Sequence, residues 1–202
     1  MARCYALLLV LASCGDKQGV TLPPAELPGH GAAMVEYSFS GSALTAPVTL
    51  REEIVSRDGG RVTLQVTATR GSDERRWLQV GPDTPDARWN NTVDELYVER
   101  DGSKQRLPNP ENRTLARLYD WVLVAASPDA TSHDSASCDQ RIGGASFSCT
   151  CERATRSWGG KSVRVEESRC PQFPWQRGPA RWTAEDGGVL WQVEVTKWFK
   201  GG

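Results

Sequence analysis

Four internal Gly-Gly pairs, at residues 59–60, 143–144, 159–160 and 187–188, separate runs in which apolar and polar residues alternate. A tight hairpin turn of the primed type needs positive φ at its central residues, which glycine adopts without steric cost. Alternation with a period of two puts one set of side chains on each face of a strand. These two features together confine most of the chain to antiparallel hairpins. The clearest case is 61–69 (RVTLQVTAT), where Val62, Leu64, Val66 and Ala68 face one way and Thr63, Gln65, Thr67 and Thr69 the other, directly after Asp58-Gly59-Gly60.

The same reading predicts strands at 33–40 and 48–55, a weaker one at 76–80, and a hairpin of 92–100 with 104–108 over Asp101-Gly102. Strands resume after residue 140 and include 189–199. One helix is signposted at about 110–125: Asn109 suits the cap and Pro110 the first turn, Leu115, Leu118, Tyr119 and Val122 recur at helical spacing, and Ser127-Pro128 ends it. The polar stretch 129–139 (DATSHDSASCD) reads as a solvated loop. The expected fold is therefore mainly β, antiparallel strands with one α-helix, formed by residues 33–202.

Residues 1–13 carry the parts of an export signal: a basic start at Arg3, then an apolar run from Tyr5 to Ala12. That run is far short of the ~18 apolar residues that cross a bilayer as a helix. Leu11-Ala12-Ser13-Cys14 resembles the lipobox of bacterial lipoproteins. The resemblance implies cleavage before Cys14, whose thiol takes the lipid that anchors the chain. Residues 14–32, with Pro23, Pro24 and Pro28 among glycines, read as a flexible tether. Gly15 is not the Asp of the familiar inner-membrane retention signal, so the expected address is the outer membrane, facing the periplasm.

Of six cysteines, Cys4 leaves with the signal and Cys14 takes lipid, leaving Cys138, Cys149, Cys151 and Cys170. An even number in an exported chain reads as two disulfides, and the close Cys-x-x-Cys pairs of zinc knuckles are lacking. Two-residue turns at Gly143-Gly144 and Gly159-Gly160 set Cys138 opposite Cys149, and Cys149 opposite Cys170. All four thiols then share one face of a three-stranded meander. Neighbours at i and i+2 on one strand lie about 7 Å apart, too far to bond, so Cys149 and Cys151 each bridge to a flanking strand. Cys138–Cys149 with Cys151–Cys170 is the favoured assignment; the exchanged pairing stays open.

The order of many strands, one interrupting helix and more strands, with Phe147-x-Cys149 after a Gly-Gly turn and a late tryptophan strand, resembles a β-rich family of bacterial lipoproteins. It resembles more distantly the lipoprotein-localisation carriers and receptors. The resemblance implies a curved antiparallel sheet or half-open β-barrel whose apolar concave side is plugged by the helix, the side on which the carriers take acyl chains.

The chain has only two histidines. His30 lies in the tether. His133 sits between Ser132 and Asp134, and adjacent residues cannot face one another as a triad requires. Glu52-Glu53 and Glu166-Glu167 are consecutive strand residues that point to opposite faces. No catalytic residue, metal ligand or cofactor is assigned. A net charge of −1 calls for no nucleic-acid partner. The expectation is an anchored, non-catalytic protein that holds an apolar ligand or an envelope partner, with Leu118 and Tyr119 on the helix as candidate contacts. Five of the eight tryptophans lie at or after residue 158, which supports a second reading, a glycan-binding module using exposed Trp158, Trp175 and Trp198. Trp191, in phase with Val189, Val193 and Val195, reads as core. An envelope hydrolase is the third reading.

Overall fold

A computed structural model describes residues 33–100, 103–107, 112–123 and 130–201. The signal, Cys14 and the tether lie outside them. Eleven strands form one antiparallel sheet: β1 (Met34–Ser40), β2 (Val48–Asp58), β3 (Arg61–Arg70), β4 (Asp73–Pro82), β5 (Glu95–Arg100), β6 (Ser103–Leu107), β7 (Ala130–Ile142), β8 (Ala145–Trp158), β9 (Lys161–Arg169), β10 (Arg177–Ala184) and β11 (Val189–Phe199). The spatial order is β6-β5-β4-β3-β2-β1-β11-β10-β9-β8-β7. Two sequential meanders are thus joined where the first strand meets the last. The sheet is curved and unclosed, the half-open barrel that the resemblance implies. Both residues of the pairs at 59–60, 143–144 and 159–160 have positive φ, as their turns require.

The concave face carries the main core. Val35, Tyr37 and Phe39 of β1, Val48, Leu50 and Ile54 of β2, and Val62, Leu64, Val66 and Ala68 of β3 are buried there in strict alternation. Leu78 and Val80, out of phase with Trp77, join Tyr97 in a small separate cluster.

Strands β6 and β7 are successive in sequence yet lie at opposite edges of the sheet, so their connection crosses the concave side. It carries α2 (Asn112–Leu118), followed by a turn through Tyr119–Val122. The expected helix of 110–125 is therefore shorter than its apolar spacing suggests; its predicted cap Asn109 and end at Ser127-Pro128 lie outside the described residues. Tyr119 and Val122 still reach the core, through turn hydrogen bonds rather than a continued helix: Val122 and Leu123 N–H both donate to the Tyr119 carbonyl.

Two further corrections concern local structure. Residues 130–139, expected as part of a loop, belong to β7, an edge strand exposed along nearly its whole length. With neither face covered, such a strand has no apolar alternation to betray it. A short helix, α1 (Pro85–Asn90), also escaped the reading. Thr84 caps it by accepting from Ala87 N–H at 3.1 Å, Pro85 opens it and Asn91 closes it in the left-handed conformation. Thr-Pro before a short polar run is the signal that marks it.

The four cysteines pair as Cys138–Cys151 and Cys149–Cys170. This replaces the favoured assignment by its exchanged alternative, although the register is the expected one, with Cys149 aligned to Cys138. Cys149 faces a thiol on each side and bonds Cys170, with Cα atoms 4.1 Å apart and both residues buried. Cys138 then reaches Cys151 across the diagonal, over a Cα separation of 5.9 Å, within disulfide span.

Candidate functional site

Between the concave face and α2 lies a cavity of about 550 Å³. Its walls are mainly apolar: Phe39 and Leu50 from the first meander, Ala180, Trp191 and Val193 from the second, and Leu115, Tyr119 and Val122 from α2 and its turn. The lid is tied to both meanders. Arg70 and Arg75 both lie over the Trp121 ring, their guanidinium carbons 4.3 and 3.9 Å from its centroid. On the other side, Trp191 Nε1 donates to the Val122 carbonyl at 2.9 Å.

Helix α1 closes one end of the concavity by reaching from β4 to the second meander. Arg88 Nη1 donates to the Pro174 carbonyl at 2.6 Å, and Arg177 Nε and Nη2 both donate to the Trp89 carbonyl, at 3.1 and 2.8 Å. Tyr37, Glu52, Asn91 and Arg177 line the cavity and also a small adjoining pocket under α1, which marks this as the cavity's polar end.

The groups there fall into two sets. Gln79 is satisfied: its Oε1 accepts from Trp77 Nε1 at 3.3 Å and from the Tyr119 hydroxyl at 3.2 Å, and its Nε2 donates to Asn91 Oδ1 at 3.0 Å. Tyr37 and Glu52 are not. The Tyr37 hydroxyl is buried without a hydrogen-bond partner among the described residues. Glu52 is 8% exposed and makes no hydrogen bond or ion pair among them. Burial pushes its carboxyl above the ordinary carboxylate range, and the Arg177 guanidinium pulls the other way. Burial also holds Tyr37 well above the usual phenol range, with Glu52 adding to the effect.

Sequence reasoning passed over Glu52. Its signal was phase: Val48, Leu50, Glu52 and Ile54 occupy the inward positions of β2, so one carboxyl interrupts an apolar stripe. Glu53, on the other face, pairs with Arg51.

Of the residues singled out beforehand, Tyr119 lines the cavity, whereas Leu118 packs half-buried against the core beside it. The three tryptophans do not form an exposed platform. Trp175, in the loop between β9 and β10, is 3% exposed, which corrects its expected exposure. Trp198 is corrected likewise. A bulge between β1 and β11 skips Thr196 and reverses the alternation, so Trp198 turns inward onto Phe147 and Phe173, with ring centroids 5.6 Å from each. Trp158 is half-buried against a separate cluster of Ala154, Val163, Val165 and Trp182. Trp191 is half-buried, stacked near Phe39 and Trp182. His133 lies 3.6 Å from Glu152 on the exposed edge hairpin, and Glu166 meets Arg153 at 3.4 Å. Among the described residues no cluster of His, Cys, Asp and Glu could hold a metal ion, and no helix is long and apolar enough to cross a membrane.

No family model matches the chain, and no curated protein matches it either. Solved structures to which the chain is similar include MucB in complex with MucA(peri) and MucB alone, each at 11% identity and a TM-score of 0.47. The matches cover 86% and 88% of this chain but 51% and 56% of theirs, so the chain spans about half the length of the structures it matches.

Proposed function

We propose that the protein is an envelope lipoprotein, anchored through Cys14 and probing no chemistry of its own, that holds an apolar ligand between its sheet and α2. The observation that carries this reading is the cavity of about 550 Å³, walled by aliphatic and aromatic side chains under a lid tied to both meanders. That volume lies within the ~300–1,000 Å³ range of small-molecule sites. A core serving stability alone would be filled, because interiors pack to crystal-like density.

Photo-crosslinking tests it. Palmitate bearing a diazirine is added to membranes containing the full-length protein, and labelled peptides are mapped. Labelling is expected on the segments carrying Leu50, Leu115 and Val122. Ala180→Trp, which adds an indole to the cavity, should lower it by about tenfold, the equivalent of ~1.4 kcal/mol. Labelling confined to exposed residues, or unchanged by Ala180→Trp, would count against the reading.

Anchoring has its own test. Labelling with a radioactive fatty acid should mark the native protein and leave Cys14→Ser unlabelled and released from, or unprocessed in, the membrane. Label retained by Cys14→Ser would remove the anchor. An outer-membrane address, supported by Gly15, is part of the same proposal.

A further inference from the structure

The polar end of the cavity contains a buried hydroxyl that the fold leaves unused, with a carboxyl beside it. Tyr37 and Glu52 both face the cavity, 4% and 8% exposed; the Tyr37 hydroxyl is buried with no hydrogen-bond partner among the described residues, and the Glu52 carboxyl lines the cavity beside it. Buried polar groups in folded proteins are almost always satisfied, and each orphan is costly to keep. Their neighbour Gln79 shows the ordinary outcome, with three hydrogen bonds to side chains. Beside them Arg177 directs Nε and Nη2 to the Trp89 carbonyl, while its Nη1 has no hydrogen bond among the described residues.

We propose that Tyr37, Glu52 and Arg177 form a head-group site at the inner end of the cavity, specific for an amphiphile whose head is a hydrogen-bond-accepting oxygen: a free carboxylate or an acyl ester carbonyl. This rests on the cavity being an apolar-ligand site and adds which end the head occupies and what chemistry it has. The donor set decides the class. The Tyr37 hydroxyl donates, and the Arg177 guanidinium donates and is positive; burial raises the Glu52 carboxyl above the ordinary carboxylate range while Arg177 pulls the other way, so the Tyr37 and Arg177 donors set the preference. An ammonium head would meet Arg177 with like charge. A purely hydrocarbon ligand would leave the Tyr37 hydroxyl unsatisfied, and hydrogen bonds to buried groups are where a site gains selectivity.

The test uses full-length protein and three photoreactive probes with one apolar chain and different ends: carboxylate, methyl ester and primary amine, with an alkane of equal length as the headless reference. Carboxylate and ester probes should label the cavity segments at about tenfold lower concentration than the amine or the alkane. Tyr37→Phe should remove most of that advantage. Glu52→Gln, which keeps a polar group of the same size at that place, should preserve it, and Glu52→Ala should not. Both disulfides formed in each variant, checked by non-reducing peptide mapping, show that the fold is intact. Ester labelling without carboxylate labelling, or the reverse, identifies which oxygen head is taken. Equal labelling by all four probes would overturn the head-group site while leaving the apolar cavity standing. Preference for the amine, abolished by Glu52→Gln, would overturn it in favour of an ionised Glu52. Cavity labelling by none would remove both proposals.

Discussion

Trp198→Ala should cost about 3–5 kcal/mol of stability, the range for a large aromatic removed from a packed site. The indole is wedged edge-on between Phe147 and Phe173, and its Nε1 donates to the Ile142 carbonyl at 3.1 Å. It also lies directly under the β7–β8 turn: a Cβ on Gly143 would come within 2.5 Å of Trp198 Cδ1. Truncation therefore opens a void shared by β11, the β7–β8 hairpin and the loop after β9, and leaves a carbonyl without its donor. At ~2–4 °C per kcal/mol for a chain of this size, the melting temperature should fall by roughly 10 °C. An exposed, sugar-stacking tryptophan would give a change within about 0.5 kcal/mol. Urea unfolding separates the two outcomes, and a negligible loss would contradict the inward orientation.

The second large effect belongs to the inner disulfide. Replacing Cys149 and Cys170 together by Ala should destabilise by about 3–5 kcal/mol, at the upper end of the range for native bridges. The bond spans 21 residues of sequence, which alone gives ~3 kcal/mol by the loop-closure estimate. The remainder comes from burial, since Cys170 is fully enclosed and Cys149 nearly so. The outer bridge, Cys138–Cys151, spans 13 residues at a half-exposed edge, so the corresponding double Ala variant should lose about 2–3 kcal/mol. Paired urea curves measure the difference. An outer bridge that proves the costlier one would mean that edge pairing, not core packing, governs this side of the sheet.

What could be read beforehand, and what could not, follows from where each residue's partners lie. The hairpins of β1 to β5 were legible because one face of each strand is buried, so Val62, Leu64, Val66 and Ala68 announce their phase in the chain itself. Strand β7 gave no such sign, because its order comes from backbone pairing with β8 and from Cys138, not from a buried face of its own. The cysteine register could be counted from the Gly-Gly turns, yet one residue facing two thiols permits two pairings, and the choice rests on geometry between strands. Trp198 was misplaced because alternation holds only until a bulge, and nothing in 189–199 marks Thr196 as the extra residue. Glu52 was visible all along as an inward-phase carboxyl. What the chain alone could not say is that, among the described residues, Arg177 acts on it through space without pairing with it.

The pairing of the first strand with the last sets an order of events as the chain is made. Strands β1 to β6 can zip together from neighbours in sequence, but β1 keeps one bare edge until residues 189–199 are available. That edge carries Val35, Tyr37 and Phe39, an apolar β-prone stretch that invites pairing with another chain. The contact between β1 and β11 joins residues more than 150 positions apart, the kind of distant closure that slows folding and prolongs exposure of intermediates. A chain interrupted before β11 would thus present a half-sheet with a sticky seam, and the last strand is the one that turns a prospective aggregate into a finished protein.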